Sequence, residues 1–149
     1  MKDISPFMQV CDTLVSGQTL PQIIDKAIRL IEDPVYWCGA HTACIRTHTT
    51  TESGIEYTID TPCRINDPSA TCLNAEGAVA RACNNHGILP PFLIKLLDQL
   101  TLEYLQANGR SWIDEESGAW NPYTIGWFGE YYNHTEALNL LHHIYGRVS

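Results

Sequence analysis

At 149 residues and 44% hydrophobic content, the chain is the size of one domain and can bury a core without a metal or a disulfide. Its formal net charge of −8 argues against a phosphate-tracking surface, and so against non-specific nucleic-acid binding. No apolar run reaches the length needed to cross a bilayer, so no membrane association is expected.

The opening residues MKDISPFMQVCDTLVSG lack the basic start and apolar run of a signal peptide. Residues 1–18 are expected to form a loosely ordered N-terminal segment of a single domain spanning 1–149. A cytoplasmic location is expected. Cys11, Cys38, Cys44, Cys63, Cys72 and Cys83 then read as reduced thiols.

The first helix is expected over 20–32. Thr19 is a good N-cap and Gln22 completes a capping box. Leu20, Ile23, Ile24, Ala27, Ile28 and Ile31 recur at helical spacing, and Asp33-Pro34 ends the run. The threonine-rich arms ACIRTHTT and IEYTIDT, flanking TESG, read as a β-hairpin with a small additional strand.

A second helix is expected over 68–84, with Asp67 as N-cap and Pro68 in the first position. Its small residues, Gly77 above all, point to a backbone packed closely against it; His86-Gly87 closes it. The third helix, 91–107, carries Leu93, Leu96, Leu97, Leu100 and Tyr104 on one stripe and stops at Asn108-Gly109. The fourth, 134–145, is capped by Asn133 with Glu136 completing the box, buries Ala137, Leu140, Leu141 and Ile144, and stops at Gly146. The fold class is therefore α+β: a mainly helical single domain of about four helices with a small antiparallel sheet.

Residues 37–48 contain Cys38-x2-His41-x2-Cys44-x3-His48. A single zinc needs its ligands within about 2.0–2.3 Å. On a strand, Cys44 and His48 stand roughly 13 Å apart; on a helix, Cys38 and His48 stand about 15 Å apart. The cysteines read as small buried hydrophobes instead, and neither metal nor cofactor is expected.

Three separated pieces carry a resemblance. They are Trp37-Cys38-Gly39-Ala40 with Ala43; Asp67-x-x-Ala70-x-Cys72-Leu73 leading to Gly77-Ala78 and Ala82; and Ile125-x-Trp127 followed by Asn133-His134-Thr135, Leu138, Leu140 and Leu141. Together they resemble a family of small domains of unknown function found in bacterial and phage proteins. The chain departs from that pattern at the inserted Asn74-Ala75-Glu76, at Gly129-Glu130-Tyr131-Tyr132, and in its longer hairpin. The resemblance implies a compact helical domain with a small sheet and a bacterial or phage origin. It implies no activity.

Two chemistries are open. Cys72, in the first turns of the expected second helix, would have its thiol acidified by the helix dipole, with His134 as base; that is the outline of a thiol-dependent hydrolase or transferase. Yet no oxyanion-forming signature precedes Cys72, and a helix start disfavours protonated His134. The favoured reading is a non-enzymatic binding or accessory protein. It would dock a host protein, or hold a nucleotide-like small ligand, through the aromatic segment 111–132. Trp112, Trp120, Trp127 and Tyr131 of that segment are the candidates, with Trp37, Asn133 and Arg81 beside them; Arg46, Arg64 or Arg81 would supply a phosphate contact.

Overall fold

The structure, a computed structural model, describes residues 18–39, 41–83, 89–109, 125, 128 and 132–149. Among the described residues it holds four helices and a three-stranded antiparallel sheet, the α+β architecture expected.

Helix α1, Leu20–Ile31, begins as its sequence demands. The Thr19 hydroxyl accepts from the Gln22 amide and the Gln22 side chain accepts from the Thr19 amide. All six stripe residues are buried, a transfer free energy on the order of 10 kcal/mol. Asp33 ends the helix and caps a single 3-10 turn, Pro34–Tyr36, by accepting from the Val35 amide at 3.0 Å.

Strand β1, Ala43–Thr50, pairs with β2, Glu56–Pro62, in the register Thr47↔Ile59. The connecting turn passes through Gly54 at φ +85°, a left-handed conformation that suits glycine. On its other edge β1 pairs with β3, Cys72–Leu73, so the order is β2-β1-β3. Ile55, Tyr57 and Ile59 alternate as a strand should, but they face solvent rather than the core.

The expected helix over 68–84 is corrected. Only Ala75–Ala82 is helical, forming α2. Asp67 caps a local turn, its Oδ1 accepting from the Ser69 amide at 2.8 Å. The Thr71 and Asn74 amides bond to the Cys44 and Thr42 carbonyls of the β1 region. The open edge of β1 thus takes Cys72 and Leu73, and tertiary pairing overrides helical propensity. The N-cap is Asn74, whose Oδ1 accepts from the Gly77 amide at 2.8 Å. The close approach expected at Gly77 is present: a Cβ there would collide with the Thr42 carbonyl oxygen.

Helix α3, Pro91–Ala107, buries the predicted stripe together with Thr101 and Leu105, and Gly109 follows it at φ +67°. Helix α4 runs from His134 to Val148, past the stop expected at Gly146. Val148 is 1% exposed, so packing holds the last turn in place. Asn133 caps α4, but Glu136 does not close a box; its carboxylate accepts from the Tyr104 hydroxyl at 2.8 Å instead. Helix α1 packs against both α2 and α4, and α4 also against α3. Ile125 and Phe128 are buried in the same core. No described helix is long and apolar enough to cross a membrane.

Candidate functional site

Cys72 does not sit at a helix start. It lies on β3, 1% exposed, directly opposite Cys44. Its Sγ is 3.4 Å from the Val35 carbonyl and 3.6 Å from the Thr71 hydroxyl. The dipole argument for an acidified thiol is therefore removed. His134 begins α4 as predicted, but its Nε2 is 2.6 Å from the Ile31 carbonyl and its ring packs edge-on to Trp37 at 5.6 Å. No hydrogen bond joins Cys72 to His134.

Cys38, Cys44 and Cys72 form a small buried cluster apart from the main core. Cys38 donates to the His41 carbonyl at 3.1 Å. Burial pushes its thiol up to about 11 and raises that of Cys44 as well, so both are neutral near pH 7. Among the described residues, no three His, Cys, Asp or Glu side chains are grouped as a metal ion requires.

Trp112, Trp120, Trp127 and Tyr131 lie outside the described residues. Trp37 is half-buried and pairs with Leu73 through an isolated bridge. Its indole nitrogen is buried and lacks a hydrogen-bond partner among the described residues. Asn133 is occupied as the α4 cap. The structure brings Trp37 and His134 together, but not Cys72 with His134.

Arg81 belongs to a different place, a cleft of about 470 Å³ lined by Arg29, Leu30, Tyr36, Ala70, Thr71, Leu73 and Arg81. The last turn of α1 supplies Arg29 and Leu30; the 3-10 turn supplies Tyr36. The segment entering β3 supplies Ala70 and Thr71, and α2 supplies Arg81. Leu30, Ala70 and Leu73 give an apolar floor.

The two arginines are held differently. Arg81 Nε and Nη2 bond to the Ile65 carbonyl at 3.1 and 2.6 Å. Its charge meets carbonyl dipoles rather than a carboxylate, which leaves it able to attract an anion. The Arg29 side chain is 75% exposed and pairs with Asp25 one turn away at 3.0 Å. Such an exposed pair is worth only a few tenths of a kcal/mol and yields readily to a ligand. The Thr71 hydroxyl is already engaged, accepting from the Arg46 amide at 2.8 Å.

A second cleft of about 430 Å³, along His48, Thr50, Glu56 and Thr58, has no arginine or lysine in its lining. The sequence names Arg81 as a candidate, but beside the aromatic segment 111–132 rather than in this cleft, and it does not single out Arg29 or Tyr36. Arg29 reads as ordinary last-turn chemistry on α1, and nothing local says that α1 and α2 set two arginines on one hollow.

No protein-family model, curated protein or solved structure matches the chain.

Proposed function

We propose that this is a non-enzymatic binding protein that holds a small nucleotide-like ligand in the Arg29–Tyr36–Arg81 cleft. The observation that carries the reading is that two arginines line one cleft together with apolar residues, in a chain whose net charge is −8. The hollow falls within the roughly 300–1,000 Å³ usual for small-molecule sites. Arg29 and Arg81 would take the phosphate, the Tyr36 ring would stack on the planar group, and Leu30 and Leu73 would bury one of its faces. The burial of Cys72 on β3, with no hydrogen bond to His134, supports a binding role over a thiol-dependent one. A cytoplasmic accessory role stays part of the proposal on the opening residues, which lack a signal-peptide pattern, and a phage or mobile-element origin on the family resemblance alone. Residues 111–132 keep their place in it as the element that docks a host protein.

Calorimetric titration with AMP, adenosine and inorganic phosphate tests the reading. AMP should bind more tightly than either fragment, and Arg29→Ala and Arg81→Ala should each weaken it about tenfold, the worth of one charge-assisted contact. Arg29 is exposed, so its variant folds regardless. If none of the common nucleoside monophosphates binds, or if Arg29→Ala binds as the parent does, the reading falls.

A further inference from the structure

Strand β2 is an edge of the sheet. The bonds from the Thr51 amide to the Ile55 carbonyl (2.8 Å) and from the Cys63 amide to the Ala43 carbonyl (3.2 Å) fix the phase of the β1–β2 ladder. Odd-numbered residues of β2 bond inward to β1, so the main-chain groups of Glu56, Thr58 and Asp60 aim away from the sheet. Among the described residues, no backbone bond reaches them. On one face, Ile55 just ahead of the strand and Tyr57 and Ile59 within it are 63%, 43% and 47% exposed. The strand has no lysine, and its one proline, Pro62, comes at its far end. An open edge beside an apolar stripe, with no lysine and no proline before its far end, can take a partner strand.

We infer that β2 pairs antiparallel with β2 of a second copy of this chain, about a two-fold axis through Tyr57, joining two three-stranded sheets into one. Across that axis Tyr57 faces its symmetry mate, Ile55 faces Ile59, and Glu56 faces Thr58. The Glu56 and Thr58 amides each donate to the carbonyl of the other. Apolar meets apolar on one face of the new sheet, and on the other no like charges oppose one another, the pairing that stabilises neighbouring strands.

The strand's own chemistry selects this register over its neighbours. An axis at Thr58 sets Glu56 against Asp60, and an axis at Glu56 sets that carboxylate against itself. An axis at Ile59 sets Glu56 against Pro62, which has no amide to give. In the chosen register Asp60 stands opposite Gly54, away from Glu56, and keeps its ion pair with Arg46, whose Nε lies 2.8 Å from it. Self-complementarity of this kind marks a second copy, rather than an unrelated strand, as the occupant.

Sedimentation equilibrium over a concentration series tests the inference, with the monomer mass at 16.7 kDa. The parent should approach twice that mass as concentration rises. Thr58→Pro should return it to monomer with circular dichroism unchanged, and should melt like the parent at dilutions where the parent is also monomeric, because the Thr58 amide faces away from β1 and an edge proline is tolerated there. If Thr58→Pro does not fold, Tyr57→Lys serves instead, setting two ammonium groups on the axis. Tyr57→Cys should give a disulfide-linked dimer under oxidised glutathione, while the parent should give none. A parent that stays monomeric overturns the inference. So does a dimer that survives both Thr58→Pro and Tyr57→Lys, or one that Tyr57→Cys fails to trap.

Discussion

Gly77, in the first turns of α2, lies directly beneath the carbonyl oxygen of Thr42, just ahead of β1. The contact is backbone to backbone, so no side chain can swing aside to admit a methyl group. The helix and the sheet are locked at a spacing that only glycine allows.

Gly77→Ala is therefore expected to destabilise the protein. In an exposed helix the change would gain about 1 kcal/mol in propensity. Here the collision outweighs that gain, for a net loss of about 2–4 kcal/mol. A drop in the urea midpoint with an unchanged slope measures it; a midpoint equal to the parent's would show that β1 and α2 can move apart.

Arg46 ties three segments together. Its Nε and Nη2 reach Asp60 at 2.8 and 3.1 Å, while Nη1 and Nη2 reach the Val35 and Trp37 carbonyls. Arg46→Ala should cost about 1–3 kcal/mol by chemical denaturation. Arg46→Lys should recover little, because an ammonium cannot span that fork. Hydrogen bonding from Arg46 holds the Asp60 carboxyl below its usual range. A lowered carboxyl adds stability above its unfolded-state value and loses it as pH falls through the folded one. The gap between parent and Arg46→Ala should therefore narrow in acid.

Glu76 and Asp98 carry the opposite sign. Burial raises Glu76, with the charge of Asp98 adding to it, and burial raises Asp98 even though its Oδ1 accepts from the Ile125 amide at 3.1 Å. A raised carboxyl favours the fold while protonated, so stability is lost as pH rises from about 4. Glu76→Gln should melt higher than the parent at pH 7 and equal to it near pH 3.5. Water on the open side of Glu76 keeps the gain below about 1 kcal/mol. An equal or lower melting temperature at pH 7 counts against burial as the dominant influence.

Among the described cysteines, iodoacetamide at pH 7.5 should reach Cys63 first, because it alone is not fully buried. Cys38, Cys44, Cys72 and Cys83 should label only as the protein unfolds, with rates that follow denaturant concentration. Peptide mapping by mass spectrometry reads the order. Fast labelling of Cys72 in the folded protein would revive the thiol-dependent reading.

What the sequence determined by itself was local. The apolar stripes of α1, α3 and α4, the capping box at Thr19, the hairpin around Gly54 and the tight contact at Gly77 all follow from spacing and from the chemistry of single residues. What only the tertiary structure decided was which neighbour each segment met. The open edge of β1 took Cys72 and Leu73 from an expected helix, and the packing of Val148 carried α4 through Gly146. Glu136 left its capping box for Tyr104. Arg29 and Arg81, 52 positions apart in the chain, came to share a cleft because α1 and α2 pack together. Periodicity reports the face that a segment buries; it says nothing of what that face is buried against, and the candidate site lies where those unreported contacts meet.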